Sequence, residues 1–199
     1  MSSLPPPPPY AATPSEYPVR IVDHGDLSRS RLTVFFRLLL AIPHLIAVAV
    51  WGIAAAVVAI VNWFATLILG TSPEGMHGFL ASFQRYSTAV NGYFYLLSDP
   101  WPPFSGAPGS YVLDLEVDPP ARQHRLSVLF RAILVIPMYL VMYVLAYVLQ
   151  LLVLVSWFVC LVLGRMPEGL QNTQLWLFRL QTRVTSYMLC LTSRYPGFS

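Results

Sequence analysis

The sequence has no lysine and little charge of either sign. Its twelve basic residues are all arginines and its acidic residues number nine, so charged types make up 11% of the 199 residues. Soluble domains carry about 25% charged residues. Apolar types reach 56% and the mean hydropathy is +0.59. The composition therefore argues against an ordinary water-soluble domain and predicts an integral membrane protein.

Reactive motifs are also absent. Cys160 and Cys190 lie in apolar stretches without a CxxC pair, which argues against a disulfide framework. The four histidines have no metal-ligand spacing, and no phosphate-binding glycine loop, GxSxG elbow or HExxH helix is present. No arginine-rich stripe with interleaved aromatics lies outside the apolar segments. We therefore predict no enzyme activity, no metal, no cofactor and no nucleic-acid partner.

The first 16 residues, MSSLPPPPPYAATPSE, contain five consecutive prolines and little to bury. This composition predicts a disordered, Pro-rich tail. A segment that docks into an aromatic-lined groove is the alternative. Because the N-terminus has no basic region and the first apolar run starts only after residue 32, a cleavable signal peptide is not expected.

Two long stretches lack Asp, Glu, Lys and Arg altogether, at 38–73 and at 132–164. A run of about 18 or more apolar residues without charge is typical of a membrane helix. Helices in the core of a soluble protein rarely exceed about 20 residues. Both stretches therefore favour a membrane location.

The chain carries one unit twice. Shifted by 94 positions, residues 17–104 align with residues 111–198 without a gap. The matched pairs include arginines and prolines, which chance apolar similarity would not align: Arg31 with Arg125, Arg37 with Arg131, Pro43 with Pro137, Glu74 with Glu168, and Arg85 with Arg179. We predict a tail (1–16), a first membrane repeat (17–104), a linker (105–110) and a second membrane repeat (111–199).

The sequence of each repeat predicts the same order of secondary-structure elements. Alternating apolar residues predict short strands at 17–23 and 111–117, which are expected to pair with each other or between subunits. A long helix follows, from His44 to Leu69 in the first repeat, with Pro43 kinking it and residues 31–43 forming an interfacial or oblique turn. A less hydrophobic second helix is expected at about 76–97 and again at about 170–191. The fold class is an all-α membrane protein with minor β.

The positions of the arginines bear on the number of crossings. Basic residues precede both long helices, at Arg31 and Arg37 and again at Arg125 and Arg131, and such residues favour the cytoplasmic face. Two crossings per repeat, about four membrane segments in all, place both groups on that face together with the N-terminus. A re-entrant first segment with an interfacial second helix satisfies the same rule and is the alternative. The expected location is a bacterial cytoplasmic membrane.

Two sets of polar residues are candidates for function. The first set precedes the long helices and is expected to bind lipid phosphates: Arg31, Arg37, Arg125 and Arg131. The second set is expected to meet between the repeats, with each glutamate near the other repeat's arginine, as an anion or headgroup site: Glu74, Arg85, Glu168, Arg179 and Asn62.

Three motifs carry a family resemblance: R-L-x-V-x-F-R-x-x-L-x-I-P-H, W-F-x-x-L-x-L-G-x-x-P-E-G and F-x-R-Y-x-x-x-V-N-x-Y. They resemble the bacterial membrane family known as domain of unknown function 4389. Residues 31–104 match it almost end to end, and residues 125–198 match as a more diverged copy. That second copy has Met138 in place of the histidine and Thr185 in place of the asparagine. The resemblance implies a membrane location and no established activity.

We expect a structural or interaction role, as an accessory subunit or scaffold of a larger membrane assembly. The expected partners are membrane lipids and other membrane proteins or further copies of this chain. The alternative is a transporter of a small molecule or lipid, with its site between the two repeats.

Overall fold

The computed structural model describes residues 17–23 and 25–197. The tail at 1–16, for which the composition predicts disorder, lies outside the described residues. The fold is mostly helical with one small sheet, and its two halves are tandem copies of one unit.

The elements of the two halves follow the same order. The first repeat contains β1 (Val19–Asp23), α1 (Arg31–Leu69) and α2 (Glu74–Phe94). The second contains β2 (Leu113–Val117), α3 (Arg125–Leu129), α4 (Arg131–Leu163) and α5 (Glu168–Met188). Each boundary recurs 94 residues later, except that a break at Phe130 divides the second long helix into α3 and α4.

The long helix of the first repeat begins earlier than predicted. It starts at Arg31 and continues through Pro43 to Leu69, so residues 31–43 are helical and the prediction of a separate turn before the proline is wrong. Proline fixes φ near the helical value and removes one hydrogen bond, and the other hydrogen bonds of this 39-residue helix hold it together across that position. Gly70 and Gly164 end the long helices in the left-handed conformation, at φ 76° and 69°.

The second helices are close to their predicted positions but end sooner. They begin at Glu74 and Glu168, directly after a proline, and stop at Phe94 and Met188. The chain then turns sharply at Leu96 and Cys190, which have positive φ values of 63° and 60°. This turn was not predicted, because neither residue is a type that favours that conformation.

The two strands pair with each other in an antiparallel ladder. Ile21 lies opposite Leu115, and these are equivalent positions of the two repeats. The buried side chains of the sheet pack against α2 at Ala89 and against α5 at Phe178. The two repeats are therefore related by an approximate two-fold axis that passes through the centre of the sheet.

The long helices run antiparallel to each other. The indole Nε1 of Trp63, near the end of α1, donates to Val128 O in α3 at 2.8 Å. The equivalent Trp157, near the end of α4, donates to Val34 O at the start of α1 at 2.9 Å. Because each long helix begins beside the end of the other, the two-fold axis runs across the helices rather than along them.

The long helices are exposed along most of their surface. The buried residues of α1 form one stripe: Val34, Arg37, Ala41, His44, Ala55, Asn62 and Thr66. Outside that stripe most side chains are apolar, and strongly exposed ones occur along the whole helix, for example Leu38 (66%), Ile53 (71%) and Ile68 (69%). Among the described residues, α1 and α4 are the helices long and apolar enough to cross a membrane.

Candidate functional site

Arg37 and Arg131 occupy equivalent positions in the interior, and each is 2% exposed. The Nη1 of Arg37 donates to Tyr93 O at 2.7 Å and to Ser98 O at 2.9 Å. Its guanidinium carbon lies 4.3 Å from the centre of the Tyr93 ring. The two carbonyls flank the left-handed turn at Leu96, so the arginine ties α1 to the turn after α2.

Arg131 makes the same contacts in the second repeat. It donates to Tyr187 O and to Thr192 O and stacks on the Tyr187 ring at 4.3 Å. The prediction that Arg37 and Arg131 contact lipid phosphates does not agree with this burial. An arginine before an apolar run is equally consistent with either environment, and only the tertiary contacts distinguish the two.

Beside these arginines the two repeats differ in charge. Arg37 Nη2 donates to Asp99 Oδ1 at 2.7 Å, and the equivalent of Asp99 is Ser193. Arg131 Nη2 instead donates to the amide oxygen of Gln123. Gln123 is itself the equivalent of Arg29 in the first repeat.

Arg29 is a further buried arginine of the first repeat, and the sequence did not predict its burial. It is 3% exposed and donates to Leu96 O at 3.0 Å, to Leu97 O at 2.8 Å and to the Gln171 side chain at 3.0 Å. Burial lowers the pKa of Arg29, while Asp99 acts in the opposite direction. The sequence offers little signal for this role, because the equivalent residue is not an arginine.

Arg31 and Arg125 lie at the surface, at opposite ends of the molecule. The Nε of Arg31 would lie 3.3 Å from a Cβ built on Gly164, and the Nε of Arg125 would lie 3.9 Å from one built on Gly70. Each of these exposed arginines thus sits at the carboxyl end of the other repeat's long helix, where a cation is favourable. Their binding of lipid phosphates stays a prediction.

Arg85 and Arg179 do reach across to the other repeat. Arg85 Nε donates to Leu115 O in β2 at 2.9 Å, and Arg179 Nη2 lies 3.5 Å from Ile21 O in β1. These are equivalent carbonyls at the centre of the sheet. Each arginine therefore holds the other repeat's strand against its own helix.

Glu74 and Glu168 are exposed at the first residues of α2 and α5, where an acidic side chain complements the helix dipole. No hydrogen bond or ion pair of either carboxylate occurs within the described part of the chain. The expected contacts of Glu74 with Arg179 and of Glu168 with Arg85 are therefore not formed. The structure does not bring the second candidate set together as one site.

Asn62 is buried and joins elements instead. Its side-chain oxygen accepts from Ser72 Oγ at 2.6 Å, and its Nδ2 donates to Leu189 O of the other repeat at 3.3 Å. At the equivalent position, Ser156 Oγ accepts from Gln174 at 3.0 Å. Asn62 thus binds the loop after α1, and Ser156 binds the neighbouring helix α5.

A further reciprocal pair joins the start of each second helix to the last turn of the other repeat. His77 Nε2 lies 3.4 Å from Leu191 O, and the equivalent Gln171 Nε2 donates to Leu97 O at 3.1 Å. Burial lowers the pKa of His77 below its ordinary value.

His44 has no counterpart in the second repeat. Its Nδ1 lies 2.8 Å from Tyr86 Oη, and its ring stacks on Phe104 with the centroids 4.1 Å apart. The equivalent Met138 packs in an apolar cluster with Leu180 and Val184. Within the described residues, no group of three or more His, Cys, Asp or Glu could hold a metal ion.

The family described as "Domain of unknown function (DUF4389)" matches residues 31–106 and, as a second copy, residues 125–199. The resemblance and the tandem arrangement predicted from the sequence are thereby confirmed. No curated protein and no solved structure matches the chain.

Proposed function

The chain belongs to the DUF4389 family, and we propose that it is a membrane-embedded protein with a structural or interaction role. The observation that carries the proposal is the exposed apolar surface that runs along α1 and α4 and is interrupted inside α4 by the exposed Gln150. Water-soluble partners would have to cover most sides of both helices along their whole length to remove this surface from water. A lipid bilayer removes the whole apolar surface from water without such partners.

We further propose that the long helices lie lengthwise in the membrane. The sheet lies beside the middle of α2, because Arg85 in the centre of that helix bonds Leu115 O. The middle of α2 in turn packs on the middle of α1, where Trp51 stacks on Tyr86. Helices that crossed the bilayer upright would therefore place the sheet near mid-membrane depth.

The sheet is too polar for that depth. Arg20 pairs with Glu116 at 3.0 Å and lies 3.7 Å from Asp118. Each such charge costs about 2.5–3.5 kcal/mol at the bilayer centre. With the helices lying lengthwise, the sheet faces water and α1 and α4 face lipid.

This orientation places the two-fold axis along the membrane normal. Arg31 and Arg125, which lie at opposite ends of the long helices, are then both at the same membrane interface. The positive-inside rule assigns this interface to the cytoplasmic face of a bacterial membrane. Upright antiparallel helices would separate them onto opposite faces. The proposal thus favours helices that enter and leave on one side over four crossings.

A scan of charge along α1 tests the orientation. We expect Leu39→Arg, Ile53→Arg and Ile68→Arg to weaken membrane retention to a similar degree in alkaline extraction, because all three exposed residues lie on the face of α1 opposite its buried stripe. A crossing helix would tolerate arginine near its ends, where the side chain reaches the interface, and would suffer most at Ile53. Glu74→Arg, at an exposed polar position, is the control.

The contacts of the polar residues that were candidates for a site between the repeats support a structural role. Arg85, Arg179 and Asn62 all have partners in the protein that join one repeat to the other. A cavity of about 200 Å³ beside α5 is lined by other residues: Tyr139, Met142, Tyr143, Ala146, Gln181, Val184 and Thr185. These contacts give the transporter alternative no specific support.

Purification in mild detergent tests the role. We expect the tagged full-length protein to retain other membrane proteins in fixed proportion, or to form a defined homo-oligomer, as measured by quantitative mass spectrometry and mass photometry. Recovery of a monomer with one stoichiometric lipid or small molecule would contradict the scaffold role and favour transport. An unrelated tagged membrane protein of similar size is the control.

A further inference from the structure

The long helices meet near their ends and separate between them. Trp63 and Trp157 donate to the other repeat at these ends. Tyr139 lies five helical turns before Trp157, so both residues are on the flank of α4 that faces α1. Leu45 lies five turns before Trp63 in the same way. Tyr139 is nevertheless 61% exposed and Leu45 is 42% exposed. An opening therefore lies between the middle parts of α1 and α4.

The two walls of this opening differ in chemistry. The wall on α4 has three exposed tyrosines and an exposed glutamine at helical spacing: Tyr139, Tyr143, Tyr147 and Gln150. The equivalent residues of α1 are exposed as well, and all of them are apolar: Leu45, Ala49, Ile53 and Ala56. The opening thus has one polar, uncharged wall and one apolar wall, which carries small side chains.

Two adjoining cavities follow the polar wall. The first has a volume of about 200 Å³, lies between α4 and α5 and reaches Gln181 and Thr185. The second has a volume of about 390 Å³, lies over Tyr147 and Gln150 and shares Tyr143 with the first. Among the described residues that line these two cavities, none is charged. The space therefore suits an uncharged molecule with a largely apolar body.

The tyrosines present a hydrogen-bond donor to this space. Tyr143 Oη and Tyr147 Oη lie 2.8 Å apart, so one hydroxyl donates to the other. The accepting hydroxyl keeps its own hydrogen for a further acceptor. Gln150, one turn beyond Tyr147, adds an amide that both donates and accepts. Because hydrocarbon offers no water to pair with these groups, an oxygen of a bound lipid is their natural partner.

We propose that the opening between α1 and α4 binds one uncharged lipid. Its carbonyl or hydroxyl oxygen accepts from the Tyr143–Tyr147 pair, and its apolar chain lies along α1 in the space beside Ala49 and Ala56. The inference rests on the proposed membrane location. It goes beyond the structural role, because the outward faces of both helices stay free for partners.

Native mass spectrometry of the full-length protein in mild detergent tests the site. Dioleoylglycerol, phylloquinone and dioleoylphosphatidylglycerol are added in equal amounts. The first offers hydroxyl and carbonyl oxygens, the second offers carbonyl oxygens alone, and the third carries an anionic phosphate. We expect one molecule of dioleoylglycerol or of phylloquinone per chain, retained about tenfold more than dioleoylphosphatidylglycerol, because no cation lines the cavities. Retention of none of the three, or of the phosphatidylglycerol to the same degree, would overturn the proposal.

Two kinds of variant separate the hydrogen bonds from the space. Tyr143→Phe combined with Tyr147→Phe keeps both rings and should lower retention about tenfold, because the donor is lost. Ala49→Trp fills the opening from the apolar wall and should abolish retention. Its neighbour Val50 is 65% exposed on the outward face of α1, so Val50→Trp is the control for bulk and should leave retention unchanged. Equal effects of the two tryptophan variants would overturn the position of the lipid between the helices.

Membrane fractionation of the same proteins distinguishes this inference from the proposed location. An unsubstituted protein that stays in the membrane fraction but retains no added lipid would overturn the lipid site alone. Recovery of the unsubstituted protein in the soluble fraction would contradict the membrane location, and with it the site.

Discussion

The two repeats hold a buried arginine in the same way but surround it with different charge. Arg37 has a carboxylate partner in Asp99, with a second arginine, Arg29, close by. Arg131 has a neutral partner in Gln123. What both repeats keep is the pair of backbone carbonyls and the tyrosine ring. The comparison indicates that the carbonyls at the end of the second helix and in the turn after it, rather than a counterion, are the common requirement of the buried arginine.

The largest expected effect is the loss of that arginine. Arg37→Met should destabilise the protein by about 3–5 kcal/mol, because it removes the cation paired with Asp99 and the buried donor to Tyr93 O and Ser98 O. Arg131→Met should cost less, since no carboxylate is abandoned. Thermal unfolding in mild detergent measures both. Equal costs below 1 kcal/mol would remove the basis of the comparison.

Exchange of the partners sharpens the comparison. Asp99→Ser alone should cost about 1.5–3 kcal/mol, because the charged hydrogen bond to Arg37 is lost. Combining it with Arg29→Gln gives the first repeat the residues of the second. We expect the double variant to cost less than the sum of the single ones by about 0.5–3 kcal/mol. Strict additivity in the same unfolding assay would show that the two environments are not interchangeable.

The reciprocal tryptophans test the two-fold relation. Trp63→Phe and Trp157→Phe should each cost about 1 kcal/mol, since each removes one hydrogen bond to a carbonyl of the other repeat. Trp176→Phe, on an exposed face, is the matched control and should have a smaller effect. A large difference between Trp63 and Trp157 in thermal unfolding would mean that one side of the interface dominates.

The smallest expected effect concerns pH. Because burial lowers the pKa of His77 in the folded state, its contribution to stability is present above the unfolded pKa near 6.5 and is lost as the pH falls below it. His77→Gln, which copies Gln171, should remove this loss, of at most about 1.4 kcal/mol per pH unit. Unfolding curves between pH 7.5 and 5 compare the two. An identical pH dependence in both proteins would exclude His77 as its source.

Much of the fold follows from local signals. The strands, the four principal helices and the repeat are predicted by periodicity and by the 94-residue offset, because these features depend on side chains close in sequence. The helix start was predicted too late because Pro43 was expected to end the preceding segment, whereas a 39-residue helix continues through the one lost hydrogen bond. The left-handed turns at Leu96 and Cys190 carry no local signal, because tertiary contacts impose them.

The candidate site was harder to predict for the same reason. The repeat alignment pairs Arg37 with Arg131 and Tyr93 with Tyr187. It does not reveal that each arginine stacks on the tyrosine of its own repeat. Arg29 could not be identified as a buried residue, because its environment is made by a turn 67 residues away in the chain.

The central claim, that the long helices lie lengthwise, is tested most directly by measuring on which side of the membrane the helix ends lie. Ser30→Cys and His124→Cys mark the starts of the two long helices, and Glu74→Cys and Glu168→Cys mark the loops after them; all four positions are exposed. Helices lying lengthwise predict that an impermeant maleimide labels all four from the cytoplasmic side, in inside-out vesicles but not in intact cells. Labelling of Ser30→Cys and Glu74→Cys from opposite sides would contradict the account.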